Sequence, residues 1–315
     1  MREEFEEGRE WLRKLLLERA AAPTKARRRT LFAAGVLAGE QGDSTLADAL
    51  IRESMETARA LEDKRGIAVS LNALAVHARD RGDLAASRCL FEESLALWRE
   101  LGDLVAVARS LSNPANIVKS QGDYIHARSL YEGCLSIFRE LGDRTGIAWS
   151  LNYEGDVARD QGDVRAARSL YEESLGTFQE LGDRWGIASS LADLGNLARD
   201  QGNYDRAESL YQQSMRMFQE LEHKRGIARL LECLACSRAA QLRPKQALRL
   251  AGAAAAFRQT PGTPLTAAEQ TKLERSLDPA RQALTGTAGA TAWLEGWVMP
   301  VEKAIEEALA PTPQS

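Results

Sequence analysis

Hydrophobic and polar positions along this chain alternate with helical spacing, in segments separated by short polar turns. One segment carries an apolar face at spacings of three and four residues: Ile187, Leu191, Leu194 and Ala198. The next segment carries a second apolar face: Ala207, Leu210, Tyr211, Met215 and Phe218. Between them lies Gln-Gly-Asn, in which glycine favours an open turn and asparagine caps a helix. The pattern predicts pairs of helices joined by tight turns.

The helix pair repeats with a period of 40 residues. QGDYIHARSLYEGCLSIFRELGDRTGIA at 121–148 matches QGDVRAARSLYEESLGTFQELGDRWGIA at 161–188, and diverged copies begin at Gln41, Arg81, Gln201 and Gln241. This predicts pairs at about 24–60, 63–101, 103–141, 143–181, 183–221 and 223–258. A lone pair cannot bury both apolar faces, so we expect neighbours to stack into an all-α solenoid, a right-handed superhelix of antiparallel pairs. Two aromatic rows are predicted to form its core: Phe91, Tyr131, Tyr171, Tyr211 and Trp98, Phe138, Phe178, Phe218.

The ends of the chain depart from the repeat. Residues 1–22 are predicted to form an N-terminal capping helix, the second helix of a truncated repeat, and 23–258 hold about six pairs. QTPGTP from Gln259 reads as a turn-rich linker, and 259–309 as a helical C-terminal cap. Within that cap, proline is expected to restart a helix at Asp278-Pro279 and again at Met299-Pro300. Residues 310–315 are expected to be disordered.

The repeat resembles the tetratricopeptide repeat (TPR). Leu194-Gly195, Ala207 and Tyr211 satisfy its signature, and Gly155, Ala167 and Tyr171 repeat most of it. The departures are the period of 40, leucine in place of the signature tryptophan, and an LGD turn in place of the signature proline. The unit is similar to the extended repeats of large bacterial regulators.

A second resemblance covers nearly the whole chain. The opening FEEGREWLRKLLLERAAAPTKARRRTLFAAGVLAGEQGD and the tail from ALRLAGAAAAFRQTPGTP resemble the borders of the TPR region in bacterial signal-transduction NTPases of the STAND class, including LuxR-, AfsR- and MalT-like regulators. The resemblance implies a sensor or partner-binding region of a longer regulator. No phosphate-binding loop and no helix-turn-helix occurs in this sequence. The family therefore implies a protein or peptide partner, or the NTPase module itself.

Composition narrows the function further. The 41 basic and 45 acidic residues give a net charge of −4, which does not indicate nucleic-acid binding by this region. No apolar stretch suits a membrane span, and the charged start Met1-Arg2-Glu3-Glu4 does not resemble a signal peptide. Four scattered cysteines do not form a disulfide framework. These features predict a cytoplasmic protein without a membrane partner, and an uncapped solenoid end would allow homo-oligomers.

Candidate catalytic and metal-binding groups are few. Cys233 and Cys236 form a CxxC, but a structural zinc site needs four ligands, so we interpret them as packing residues. None of His77, His126 and His223 has the partners of a catalytic triad. The sequence therefore predicts a non-enzyme with no cofactor and no metal.

The first helix of each pair lines the groove of a TPR solenoid, and its polar positions are the candidate binding residues. Asparagine can grip a peptide backbone because it both donates and accepts. The candidates are Asn72, Arg79, Arg109, Asn116, Lys119, Trp149, Asn152, Asp156, Arg159, Asn196 and Arg199. Three interpretations stay open: a self-paired charged stripe, a protein or peptide groove, and a small-ligand site, for which Trp149 and Trp185 would stack on a sugar. Pro114, inside a first helix, predicts a kink or break near Asn113.

Overall fold

A computed structural model describes residues 23–40, 43–259, 265, 267–284 and 286–310. The predicted N-terminal helix, the linker at 260–264 and the tail at 311–315 lie outside these residues. The described residues form helices and no strand, so the all-α prediction is confirmed. The first twelve helices are α1 (Lys25–Glu40), α2 (Ser44–Ala60), α3 (Lys64–Asp80), α4 (Leu84–Glu100), α5 (Leu104–Ser120), α6 (Tyr124–Leu141), α7 (Arg144–Asp160), α8 (Val164–Leu181), α9 (Arg184–Asp200), α10 (Tyr204–Glu220), α11 (Lys224–Ala240) and α12 (Pro244–Gln259). Three C-terminal helices follow: α13 (Ala267–Ala283), α14 (Ala288–Trp297) and α15 (Val301–Leu309).

The chain divides into two compact units, and the boundary falls inside α5. Unit 1 extends to Ile117, and unit 2 begins at Val118. Unit 1 holds the pairs α1–α2 and α3–α4 with most of α5. Unit 2 holds the end of α5, helix α6, the pairs α7–α8, α9–α10 and α11–α12, and the C-terminal helices. Within each unit, the two helices of a pair pack along each other and also against the next pair.

The turns between helices share one construction. An aspartate at the N-cap accepts a hydrogen bond from the backbone N–H three residues on, as Asp163 does from Ala166 at 3.0 Å. The preceding glycine, here Gly162, has a positive φ that a side chain would disfavour. Glu222 and Leu242 take the same backbone conformation without being glycine. The Gly-Asp pair of the repeat is therefore a turn and cap signal, as its sequence indicates.

The core of each pair is the aromatic ladder on the second helix. Phe91, Tyr171 and Tyr211 are fully buried, and every other residue of the two predicted rows is also buried. Opposite the tyrosines stand Gly155 and Gly195, where an added Cβ would lie within 2.8 Å of a ring carbon. The predicted core is thus confirmed. At Gly155 and Gly195 the tyrosine ring lies against the helix backbone, whereas alanine fills this position in the repeats of Phe91 and Tyr131.

A buried serine on the second helix ties the two helices of a pair together. Ser94 donates to the carbonyl of Ala68 at 2.8 Å in unit 1, and Ser174 donates to that of Ala148 at 2.8 Å in unit 2. Cys134 stands at the same repeat position. Its burial raises the pKa of the thiol to about 12, so this cysteine is a protonated core residue.

Two helices continue through prolines at which the sequence predicted an interruption. Helix α5 runs through Pro114, so the break did not occur and the alternative, a kink, stays a prediction. Helix α13 runs through Pro279, so the expected restart there was wrong. A proline removes one backbone hydrogen bond, whereas most helical stability in a protein comes from packing of the apolar face. In α5 that face includes Leu111 and Ala115 on either side of the proline, both buried.

The C-terminal helices pack on the last repeat. Helix α14 crosses α12 so closely that a Cβ at Gly252 or Gly296 would collide with a backbone carbonyl of the other helix. Helix α13 packs against α11 and α12, and α15 contacts the same two helices. Their role as a cap stays a prediction.

Candidate functional site

The candidate binding residues fall into one set in each unit, and each set is described separately. We call Asn72, Arg79, Arg109 and Asn116 the unit 1 groove residues. We call Lys119, Trp149, Asn152, Asp156, Arg159, Asn196 and Arg199 the unit 2 groove residues. All of them lie on first helices.

In unit 1 the groove residues are accessible polar groups. Asn72 Oδ1 accepts a hydrogen bond from Asn113 Nδ2 at 3.2 Å. Arg79 donates from Nη2 to the neighbouring Asp80 at 2.9 Å. Arg109 is exposed, and Asn116 is half-buried. This set offers both donors and acceptors to a ligand.

In unit 2, Asp156 is the centre of a buried hydrogen-bond network. It accepts from Lys119 Nζ at 2.8 Å and from the Tyr171 hydroxyl at 2.7 Å. Burial alone would raise the pKa of Asp156, but the charges of Lys119 and Arg159 and the two hydrogen bonds lower it. Asp156 is therefore a carboxylate at every physiological pH. It holds the hydroxyl of a core tyrosine, and its part in a groove stays a prediction.

The two arginines of this set are paired with carboxylates of their own helices and the next. Arg159 Nε lies 3.3 Å from Asp200 Oδ2, and Arg199 Nη2 donates to Asp200 Oδ1 at 2.8 Å. Both guanidinium groups are mostly covered, while Asp200 is more open to solvent. Since each cation already faces a carboxylate, the cation row does not present net positive charge to a ligand.

A further ion pair belongs to the same surface but was missed from the sequence. Arg229 on α11 is paired with Asp193 on α9, and Asp193 is almost fully buried. The signal was available in the 40-residue register, since Arg229 repeats the position of Arg109 and Trp149. Its partner Asp193 lies 36 residues earlier on the neighbouring first helix, and no sequence pattern marked these two residues as a pair.

The two asparagines of unit 2 differ in what they bond. Asn196 Oδ1 accepts from the Tyr211 hydroxyl at 2.9 Å, so this side chain repeats the structural role of Asp156. Asn152 is 3% exposed, and its Nδ2 has no hydrogen-bond partner among the described residues. A buried amide donor without a partner costs stability. Asn152 is thus the groove residue whose chemistry packing does not use.

The tryptophans proposed for a small ligand pack on each other. The Trp149 ring centroid lies 4.4 Å from that of Trp185 and 4.9 Å from that of Phe178. The Trp149 ring also contacts the Tyr153 ring, and the Trp185 ring contacts the imidazole of His223. Trp185 is 43% exposed, so it is the more accessible ring of the two. The arrangement is an aromatic cluster along one edge of α7 and α9.

The cysteines and histidines have local partners. Burial raises the pKa of Cys236 to about 11 and also raises that of Cys233, so both are protonated thiols at neutral pH. His77 Nδ1 lies 2.7 Å from Asp48, and His223 Nδ1 caps α11 by accepting from Gly226. Among the described residues, no group of three or more potential ligands could hold a metal ion. Within the same residues, the helices are too short or too polar to cross a membrane.

A cavity opens on the other side of unit 2, between α6, α7 and α8. Its floor includes Glu154, at the repeat position of Leu194 and Leu234. Glu154 Oε1 is buried without a hydrogen-bond partner. Burial and then the charge of Glu132 raise its pKa to about 6. A carboxyl group in place of a core leucine was visible in the register and was missed.

Comparison with known proteins agrees with this architecture. Tetratricopeptide-repeat profiles match residues 66–140 and 106–180, and another matches residues 187–222. The chain therefore contains TPR repeats in this stretch, as predicted. No curated protein matches its sequence.

Solved structures with a similar backbone confirm the TPR-like fold. BtubC (BKLC) from P. vanneervenii is 22% identical, with a TM-score of 0.53 over 70% of this chain and 88% of its own. A Rap protein complexed with competence and sporulation factor is 15% identical, with a TM-score of 0.61 over 94% of this chain and 80% of its own. A STAND protein with a tetratricopeptide repeat sensor from Pyrococcus horikoshii is 16% identical, with a TM-score of 0.58 over 90% of this chain and 44% of its own. At these identities the likeness concerns the fold.

Proposed function

We propose that this chain is a non-catalytic interaction region that binds a segment of another protein along the groove residues of its first helices. The observation that carries the proposal is where the repeats differ from one another. The second helices of the central repeats keep their core pattern, and the first helices keep theirs, with leucine at 71, 111, 151, 191 and 231. The groove positions vary instead, for example Asn72, Ser112, Asn152, Ala192 and Glu232 at one of them. Positions that packing does not fix are the ones a repeat protein can adapt to a partner.

The chemistry of these positions suits a polypeptide. Asn72 is half-buried and presents an amide, while the Asn152 amide is buried and its donor is unpaired among the described residues. A peptide carbonyl would satisfy the Asn152 donor once the side chains that cover it move aside. The charges of unit 2 are already self-paired, which argues against a strongly acidic ligand.

Regulation is the context we propose. The borders of the repeat region resemble those of STAND-type regulators, and a solved STAND protein with a TPR sensor shares the fold. The Rap protein of similar fold is complexed with competence and sporulation factor, which illustrates ligand binding on such a scaffold. In this proposal a protein partner, or an NTPase module, shifts a regulator between states through its differential affinity. The small-ligand alternative has less support, because Trp149 is packed against Trp185 and Phe178.

The test compares two matched double variants of the full chain as bait in native lysate. The first double variant, Asn72→Ala with Asn152→Ala, changes one groove residue in each unit. Alanine already occurs at this repeat position, as Ala192. Glu92→Ala with Glu172→Ala changes one exposed second-helix residue in each unit. We expect a partner captured by the parent to be retained by the glutamate variant and lost by the asparagine variant. A partner that survives both changes would place binding outside the groove residues.

A further inference from the structure

Helix α13 packs against both helices of the last pair and reaches groove positions of unit 2. Ser276 is close enough to Cys236 of α11 to lower the pKa of its thiol, and Cys236 repeats the position of Asp156 and Asn196. Lys272 Nζ lies 3.4 Å from Asp160 Oδ1 at the end of α7, a residue 112 positions earlier in the chain. Asp160 repeats the position of Asp200. A C-terminal helix therefore reaches first helices that belong to different repeats.

The contact face of α13 is a narrow apolar stripe. Leu277 and Ala280 are buried, and Leu273 and Leu284 pack partly buried against the same cluster. The spacing of four, three and four residues is that of one helical face. Other positions of the helix carry exposed charged residues: Glu274, Arg275, Asp278 and Arg281. Amphipathic helices that dock in a groove bind through such a stripe.

The two halves of α13 are held differently. Its C-terminal half carries the buried side chains Leu277 and Ala280. Its N-terminal half carries Leu273, which is only partly buried, and Lys272, whose side chain is 64% exposed and pairs with Asp160 at the outer limit of a hydrogen bond. Exposed ion pairs of this kind contribute little to stability. The N-terminal half is therefore the part that a competitor can displace.

We propose that the groove surface of unit 2 accepts an amphipathic helix, that α13 occupies part of it in cis, and that a partner helix competes with α13. The inference deepens the proposed function and rests on it for the existence of an external partner. The matching partner carries apolar residues at positions i, i+4 and i+7, as Leu273, Leu277 and Ala280 do. It carries a basic residue immediately before the first of them, as Lys272 does, to face Asp160. A cis competitor weakens the apparent affinity for the partner in proportion to its occupancy.

The test uses a fluorescent peptide with the sequence of residues 267–284, titrated with the full chain and with full-length variants. Leu277→Asp in the chain should release α13, so we expect it to bind the peptide about tenfold more tightly than the parent. The matched control is Leu294→Asp, which changes an exposed leucine of α14 and should bind as the parent does. A folded Leu277→Asp chain that binds no more tightly than the parent would overturn the inference.

A second variant covers the case in which Leu277→Asp unfolds. Lys272→Glu changes an exposed side chain, sets like charges opposite each other at Asp160, and should increase peptide affinity about two- to fivefold. Placing Lys272→Glu in the peptide should weaken its binding, and Asp160→Lys in the chain should restore it. Equal binding of both peptides to every chain would refute the role of Asp160. Because the assay contains no natural partner, its outcome is independent of whether the asparagine variant loses its captured protein.

Discussion

Glu154 provides the sharpest test of how this repeat is built, because it places a carboxyl group where other repeats place a core leucine. It faces Glu132 on α6 and Glu173 on α8, with Arg139 and Arg128 also on α6. Burial is the largest cause of its raised pKa and the charge of Glu132 is the next, while Arg139 and Arg128 oppose the rise. The ionised form is therefore destabilised in the folded chain.

The magnitude follows from the pKa of Glu154 in the folded and unfolded chain. A rise from the ordinary value of 4.5 to about 6 corresponds to about 2 kcal/mol, at about 1.4 kcal/mol for each pKa unit. Glu154 is only half-buried, so solvent screening reduces this to about 1–2 kcal/mol. Because the folded pKa is the higher one, the folded chain binds more protons between the two values. Below pH 4.5 the Glu154 carboxyl is protonated in both states, and ionisation costs the folded chain no stability. Above pH 6 the carboxyl is ionised in both states, and the folded chain carries the full penalty.

The assay is urea denaturation of the parent and of Glu154→Gln at pH 4, 5, 6 and 7.5. We expect the variant to be about 1–2 kcal/mol more stable at pH 7.5 and the difference to vanish near pH 4. Glu154→Leu should be at least as stable as the glutamine variant, since Leu194 and Leu234 fill the same position. Glu172→Gln, an exposed glutamate on α8, is the control and should change the unfolding free energy by less than about 0.5 kcal/mol. A parent–variant difference that does not change with pH would refute the reasoning.

Three further predictions concern the repeat geometry, and each is checked by urea denaturation. Gly195→Ala should lower the unfolding free energy by about 1–2 kcal/mol, because its Cβ would press on the Tyr211 ring. Gly176→Ala, which has open space around it, should raise the unfolding free energy by about 1 kcal/mol. Equal effects of the two changes would contradict the packing argument. Leu242→Gly should gain about 0.5–1 kcal/mol by relieving a positive φ of 58° at an exposed residue, and a loss would show that the leucine makes a needed contact. His223→Asp restores the aspartate cap of the other turns and should gain about 1 kcal/mol. Burial and then the charge of Arg225 lower the pKa of His223, so the unfolded chain binds a proton at this residue before the folded chain does. As pH falls through 6.5, the parent should therefore lose stability relative to the variant. Parallel pH curves for the two chains would refute this.

The fold was predictable because its signals recur in register. Most turns repeat a glycine and a capping aspartate, and the second helices α4, α6, α8 and α10 repeat a buried aromatic residue such as Tyr171. Five copies of one pattern leave little ambiguity about pairs and boundaries. Pro114 and Pro279 misled the prediction because local propensity was weighed without the packing that holds α5 and α13 together.

The candidate site was only partly predictable. The groove positions themselves follow from the register, but their partners do not, because a sequence pattern carries no distance. Arg229 forms an ion pair with Asp193 on a neighbouring helix, and Lys272 forms one with Asp160, which lies far away in the sequence. The role of Asp156 was accessible in principle, since Tyr171 and Tyr211 accompany the polar residues Asp156 and Asn196, while Phe91 accompanies Val76. A hydroxyl in the core demands an acceptor, and that acceptor stands in the groove row.

This dependence limits which carboxylates of unit 2 a partner can use. Asp156 holds Tyr171 and Lys119 at once, so a ligand cation that took Asp156 would leave a buried hydroxyl without its acceptor. Asp193 is buried beneath Arg229. Asp160 and Asp200 stand at the C-terminal ends of their helices and retain more solvent contact than Asp193. A basic residue of a partner can therefore reach them without opening the core, and Lys272 already does so at Asp160.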